Sequence, residues 1–447
     1  MEGLLLCLYV LIVTWAIARF RSINYRNIQF HDGILVGMGF FLIAPITLTL
    51  IYGDIASVEM RAGPYEPVDD WQTSLNLALG AAVVLLFHTS APRLAKGGYK
   101  KREDGGIALI LVLLILYIGC AVFTFFYSGR AGGGHWQGNL EASLRSSPLL
   151  IIIGNFANVY RGAIFGVLYN LWASGKFSKL TVFSFCFFIC LVDIMITFNR
   201  ITIAYFAIVT LLMFRSHFVK ILLVSLPMLP FISYFSSLWT AIRGLALMDG
   251  YSISGFINAF ETARSVSSYG DGRSTNAIFD SENIIVFDWL VKHTGDYFPV
   301  LYGSTFIVRP LTVFIPSTLW PNKPGVFGVD VGTSLQGVPG LALNSTLFGE
   351  AYGNFLYFWP LALLSMLYLL SWIFGTLSRR WSFVNGASFF IGFALWRFDM
   401  SSAFIGLVAL FAFQFVFRLS CVPIQALLAI RIAKGGPRMR RMNFNGR

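Results

Sequence analysis

Long apolar runs recur from one end of this chain to the other, and they limit its fold more than any other feature. The stretch 107–127 is the clearest, with no charged side chain along its length. A helix needs roughly 20 apolar residues to cross a hydrocarbon core about 30 Å thick. Inside that core only helices and closed barrels satisfy every backbone polar group, and the short alternating segments of a barrel are missing here. Charge supports the same reading. Only 12% of the residues are charged, about half the share of a soluble domain. The expected fold is an all-α integral membrane protein.

Apolar runs predict crossings near 3–18, 33–52, 74–91, 107–127, 149–172, 179–198, 201–214, 218–240, 354–377, 383–398 and 401–418. The first run lacks a basic segment before it, and Arg19, Arg21 and Arg26 follow it, so it reads as a retained span rather than a cleaved signal peptide. The net charge of +12 is unevenly placed. Segments 19–32, 92–104, 173–180, 215–220, 379–380 and the tail from 418 hold most of the 33 Lys and Arg, against Asp32, Glu103 and Asp104 as their acids. Basic loops face the cytoplasm. The N-terminus is therefore expected outside and the C-terminus inside, with about eleven crossings. The divisions that follow are a bundle of about eight spans over 1–240, an outer loop over 241–353, C-terminal spans over 354–420 and a basic cytoplasmic tail over 421–447. The tail suits an anionic inner leaflet, and no nucleic-acid partner is expected. Cys7, Cys120, Cys186, Cys190 and Cys421 all lie in or beside predicted spans, so no disulfide framework is expected in the loop.

The segment 298–319 is apolar enough to cross, but Arg309-Pro310 and Pro316 interrupt it. A full crossing would place Arg379, Arg380 and the tail outside. A re-entrant or broken half-helix resting on the outer side is expected instead, and irregular backbone at that depth needs burial in protein or a wet cavity.

Arginines outside the basic clusters carry the sharpest chemical signal: Arg161 within a span, Arg200 at a span's outer end, Arg309 in the broken segment and Arg397 at the outer hairpin before Asp399. An intramembrane charge needs a partner or water. One reading pairs them structurally, Asp193 with Arg161 or Arg200 and Asp399 with Arg397. The other uses them together, because guanidinium groups suit phosphate oxygens and a set of them suits a diphosphate. The long loop adds Arg243, Arg264, Arg273, Lys292 and His293. Asp280-Ser-Glu282 has a spacing that can hold a divalent ion, but in a solvated loop it reads as surface charge, so no metal is expected. His293 is a candidate general base. Glu350 reads equally as a cap at a helix N-terminus or as a catalytic carboxylate, and Asp399 joins them as a third base candidate. Asn344-Ser-Thr346 has a glycosylation acceptor pattern that arises often by chance. Phosphate-loop, zincin, nucleophile-elbow and dinucleotide motifs are all missing, and no cofactor is expected.

Ile307-Val-Arg309 followed by Val313-Phe-Ile-Pro-Ser-Thr-Leu-Trp-Pro-Asn-Lys-Pro324 closely resembles a stretch of the Wzy-type polymerases of bacterial surface polysaccharide, especially the enterobacterial common antigen branch. Asn344-Ser-Thr-Leu-Phe-Gly-Glu-Ala-Tyr-Gly-Asn-Phe355 is similar to the segment that opens the next span in O-antigen polymerases. The resemblance implies a GT-C-like enzyme of the bacterial inner membrane. Its activity would move a glycan from undecaprenyl diphosphate onto an incoming lipid-linked repeat unit. Both the donor and the acceptor would then be undecaprenyl-diphosphate-linked, and a chain-length regulator is a further partner the resemblance allows. By that likeness Arg309, Arg200, Arg397 and, more loosely, Arg161 would grip the diphosphate. Trp320, Asn322, Lys323, Asn344 and Tyr352 would join the loop arginines in holding substrate. After Pro324 the spacing departs from the common-antigen branch, which leaves the repeat unit open. An O-antigen ligase would share the arginines but not 319–324. A transporter or flippase for lipid-linked oligosaccharide would show two repeated halves, and no repeat is visible.

Overall fold

The computed structural model describes residues 2–52, 65–67, 69–91, 106–127, 148–197, 201–217, 254, 257–258, 260–262, 282–315, 319–338 and 341–433. Its helices, numbered along those residues, are α1 Glu2–Arg21, α2 Phe30–Met38, α3 Ala44–Tyr52, α4 Trp71–Ser90, α5 Gly106–Tyr127, α6 Pro148–Ala173, α7 Lys179–Thr197, α8 Ile201–Met213, α9 Glu282–His293, α10 Arg309–Thr312, α11 Phe327–Gln336, α12 Thr346–Phe355, α13 Trp359–Arg380, α14 Phe383–Ala394 and α15 Met400–Ala433. No strand occurs among the described residues. Among the described residues, six stretches are long and apolar enough to cross a membrane: Gly3–Arg21, Phe30–Leu50, Trp71–Ser90, Ile107–Phe126, Thr346–Arg380 and Met400–Leu419. The all-α membrane class expected from hydropathy agrees with this architecture.

Side-chain contacts fix the helix directions. Tyr9 and Ser74 both reach the buried Tyr65 hydroxyl, at 3.5 and 2.8 Å, which joins the start of α1 to the start of α4. At their other ends, Arg19 Nε donates to His88 Nδ1 at 3.1 Å. The helices are therefore parallel, with one end under α9 and the other beside the Arg19 cluster. On the α9 side, the Thr73 hydroxyl donates to Asp288 Oδ1 at 2.6 Å. Lys292 Nζ bridges Asp288 Oδ2 at 2.8 Å and Asp70 Oδ1 at 2.9 Å. Burial raises the Asp288 carboxyl above its usual range, with Lys292 and Thr73 pulling the other way. Burial also opposes the Lys292 charge, but Asp288 and Asp70 outweigh it and hold the ammonium above its ordinary value.

One expected boundary needs correction. Thr346–Arg380 is no single rod, because Leu356 adopts φ 46° and the chain folds back there. The Phe348 and Trp359 rings lie 5.6 Å apart, whereas a continuous helix would separate them by about 16 Å. The span expected at 354–377 begins at Trp359, and Glu350 sits inside the separate helix α12 instead of heading a span.

α14 is also shorter than expected. Its 12 residues extend about 18 Å, well short of the hydrocarbon core. It is clamped between α2 and α6. A Cβ on Gly166 would lie 2.2 Å from the Gly386 carbonyl carbon, and one on Gly37 would lie 2.1 Å from the Trp396 ring; small residues let helices approach this closely. Phe348 bridges Gly80, halfway along α4, and Trp396, whose ring centroid is 5.1 Å away. The hairpin after α14 therefore lies at mid-depth in the bundle, beside α12.

Candidate functional site

Tyr302 and Gly303 take left-handed backbone (φ 48° and 81°) and turn the chain into a wide helical turn, Ser304–Val308, that continues into α10. Together the two pieces extend about 13 Å, too short to cross the bilayer. The segment packs against α12 and α15. Wide turns of this kind concentrate at functional sites. Thr305 meets Asn354 of α12, and Arg309, four residues on, lies within electrostatic reach of Glu350.

Arg309 and Lys323 brace the segment against the stretch that follows it. Arg309 Nη1 donates to the Pro324 carbonyl at 2.6 Å. Lys323 Nζ donates to the carbonyls of Val313 at 2.8 Å and Ile315 at 3.0 Å, satisfying acceptors that a helix end leaves open. Burial lowers the proton affinity of Arg309, opposed by the charges of Asp399, Glu350 and Asp330. Burial also lowers Lys323, and Arg309 lowers it further. Trp320 is half-buried and Asn322 exposed beside this brace.

Glu350 is 4% exposed, and its Oε2 accepts the Met400 backbone N–H at 2.7 Å. Asp399 Oδ1 accepts from the Ser402 N–H at 3.3 Å and from the Ser402 hydroxyl at 3.0 Å. Two carboxylates therefore share the N-terminus of α15, where the helix dipole favours negative charge. Glu350 caps a helix, as one sequence reading had it, but the helix is α15 and not its own. Asn354 Nδ2 donates to the Glu350 carbonyl at 2.7 Å and to Thr305 Oγ1 at 2.8 Å. Glu350 Oε1, Asn354 Oδ1, Arg309 Nε and Ser401 Oγ are buried without a partner. An unmatched buried polar atom costs about 1–3 kcal/mol, and four of them on contacting elements single this centre out as a candidate site.

Arg161 is placed differently. It is 1% exposed. Its Nη1 donates to Asp193 Oδ2 at 2.7 Å and its Nη2 to Asn158 Oδ1 at 2.6 Å. The hydroxyls of Tyr117 and Thr202 also donate to Asp193. The sequence left structural pairing and diphosphate binding both open for Arg161, and the geometry gives it a buried counter-ion. A cavity of ≈ 30 Å³ lies between Asn155, Asn158, Tyr205, Phe398 and Ser402. It has room for a water and joins the Arg161 cluster to the Asp399 hairpin. Arg397 is half-buried in that hairpin, within electrostatic reach of the Tyr205 hydroxyl.

The other expected residues are dispersed. His293 Nδ1 lies 2.8 Å from the Trp289 carbonyl and its ring stacks on Trp289, so its described contacts are with its own helix and Tyr297. Tyr352 is buried and donates to the Val291 carbonyl at 3.5 Å, tying α12 to α9. Asn344 is half-buried ahead of α12. Arg200, Arg243, Arg264, Arg273 and Asp280 lie outside the described residues.

Sequence reasoning passed over two features. Thr305 and Asn354 complete the Glu350 centre, and the signal for Asn354 was its i+4 spacing from Glu350. The second is His31, Asp32 and His88, all buried, with potential ligand atoms within 4.8 Å of one another. Arg19 Nε donates to His88 Nδ1, so Nε2 carries the proton and donates it to Asp32 Oδ1 at 3.0 Å. A metal on Nε2 needs the reverse, a lone pair there and an acceptor opposite Nδ1. The donor set fits a buried Arg19–His88–Asp32 relay better than an ion.

Compared with known protein families, characterised proteins and solved structures, the chain shows no significant match to any of them.

Proposed function

We propose that this chain is a GT-C-like glycosyltransferase of the bacterial inner membrane. On this reading it has about eleven crossings, an outward N-terminus and a cytoplasmic C-terminus. It polymerises undecaprenyl-diphosphate-linked repeat units into O-antigen-type polysaccharide. The observation that carries the reading is the buried Glu350 carboxylate, set among Arg309, Asp399 and the α15 N-terminus. The likeness of 307–324 to Wzy-type polymerases supports it, because the Arg309–Pro324 and Lys323 bonds lie within that stretch.

In this mechanism the acceptor hydroxyl oxygen bonds to the anomeric carbon of the donor glycan. The anomeric C–O bond to the diphosphate breaks, and its electron pair stays on the phosphate oxygen. The hydroxyl proton passes to Glu350 Oε1, the unpartnered carboxylate oxygen. Arg309 and Arg397 stabilise charge as it develops on the departing diphosphate. Glu350 is preferred to His293 as base because it adjoins Arg309 and has a free oxygen, whereas His293 is held on Trp289. Arg161 acts at a distance, holding α6 to α7 through Asp193.

The test is to incubate the purified protein with a defined undecaprenyl diphosphate oligosaccharide. A ladder of products is expected. A single transfer to lipid A core would make it a ligase, and no transfer to either acceptor would overturn the reading.

A further inference from the structure

We propose that the side-chain cluster of Thr305, Glu350, Asn354 and Ser401 binds adjacent hydroxyl groups of the acceptor sugar and not the donor diphosphate, which meets only the outer edge of the Arg309 guanidinium, with Asn354 as a specificity residue. The inference rests on the glycosyl-transfer reading above and adds which part of the substrate meets this cluster.

The bonds already made leave a definite pattern of unmet ones. The Glu350 backbone carbonyl can only accept, so the Asn354 group that meets it must be the amide nitrogen. That nitrogen also serves Thr305, and Asn354 Oδ1 is left as a free acceptor. Glu350 Oε2 is occupied by Met400, which leaves Oε1 as a second free acceptor. Arg309 Nε is a free donor, because Nη1 holds Pro324. Ser401 Oγ can act either way. Glu350, Asn354 and Ser401 are all at least nine-tenths buried, and Arg309 is 9% exposed.

A ligand that satisfies this set brings at least two donors and an acceptor. Diphosphate oxygens bring only acceptors and would face the charges of Glu350 and Asp399. An ammonium or metal cation would leave Arg309 Nε unmet and be repelled by the guanidinium. Neighbouring hydroxyls of a sugar ring each donate and accept, so they meet the whole set. They also place a reactive oxygen against Glu350 Oε1, where the transfer step needs its base.

Two variants test this: Asn354→Leu, which removes the acceptor, and Ser401→Ala, which removes a hydroxyl that no fold contact uses. Steady-state kinetics with a lipid-linked acceptor, and equilibrium binding of a soluble repeat-unit oligosaccharide and of undecaprenyl diphosphate, are measured for each. Asn354→Leu should raise the acceptor KM and weaken oligosaccharide binding by about tenfold, and Ser401→Ala by about threefold. Undecaprenyl diphosphate affinity should stay within about twofold of wild type in both. Unchanged acceptor KM and oligosaccharide binding in Ser401→Ala and in a folded Asn354→Leu would overturn the proposal, as would equal weakening of both ligands. If the wild-type protein makes no ladder, the transfer reading fails alone, and oligosaccharide binding by the variants still decides what the cluster binds.

Discussion

Glu350 Oε2 accepts the Met400 backbone N–H at 2.7 Å, so a side chain of α12 closes the first turn of α15. The contact ties the helix after the long loop to the last helix at mid-depth in the bundle. It leaves the second carboxylate oxygen buried and unpartnered. One oxygen therefore serves the fold, and on the proposed mechanism the other takes the proton.

That separation predicts different outcomes for two substitutions. Glu350→Gln keeps an oxygen that can accept from Met400 and should fold with near wild-type thermal stability. It should lose about 100-fold or more in transfer rate, the usual range for a general base. Glu350→Ala removes the cap as well and should lower stability by about 0.5–2 kcal/mol. Unfolding midpoints in detergent and single-turnover transfer rates check both. A Glu350→Gln protein with wild-type turnover would remove Glu350 from the mechanism.

Arg161 and Asp193 allow a test of pairing against phosphate binding. Removing one member of a buried pair leaves an uncompensated charge, at about 3–5 kcal/mol, so Arg161→Met and Asp193→Leu should each fold poorly. The double variant should recover much of the folded yield and retain transfer, because the charges cancel each other. If the double variant folds but is inactive while its substrate binding is lost, Arg161 touches the substrate after all.

How much of this was legible follows from what each feature depends on. The membrane class needed only run length and scarce charge, both local properties. The break at Arg309-Pro310 was visible because a charge and a proline interrupt an apolar run. That Glu350 faces Arg309 depends on the fold-back at Leu356, and nothing in the residues 354–358 announces a left-handed leucine. Placing a span at 354–377 put Glu350 at its head, where capping its own helix was a natural reading. Asn354 and Thr305 carry no charge and fell below attention. The Arg19–His88–Asp32 relay joins three elements through single residues, and no spacing rule links them. For Arg161 the sequence named Asp193 as a partner without being able to place it, and the fold brings the two together at 2.7 Å.

The latch between α9 and α4 has a pH dependence set by Lys292. Its carboxylate partners hold the ammonium above the ordinary value of 10.5 in the folded protein. The stabilisation is therefore complete below pH 10.5 and is lost as pH rises through the higher folded value. Asp288 works in the same sense, but in the acid range. Its carboxyl is raised above 3.8 by burial, so its share of stability falls as pH climbs from 3.8 through the raised value. Thermal unfolding in detergent between pH 7 and about 11.5 should show an alkaline drop, and Lys292→Met, less stable at pH 7, should lack it. An identical alkaline profile in the variant would show that some other group controls the drop.

Arg309 is asked to do two things at once, and a lysine cannot do both. One nitrogen, Nη1, holds the Pro324 carbonyl at 2.6 Å, while the rest of the guanidinium remains among the charges of Asp399, Glu350 and Asp330. A lysine carries the same charge on a single nitrogen. In Arg309→Lys that nitrogen either braces Pro324 or faces the carboxylates. The variant should stay folded, since a cation still balances the buried acids, but turnover should fall about 10- to 100-fold. The loss should appear chiefly in kcat, because charge on the leaving diphosphate develops at the transition state. A purely structural brace predicts the reverse pattern: lowered stability, and full turnover per folded molecule. Measuring unfolding midpoint and kcat on the same preparation separates the two, and full kcat per folded molecule would confine Arg309 to the brace.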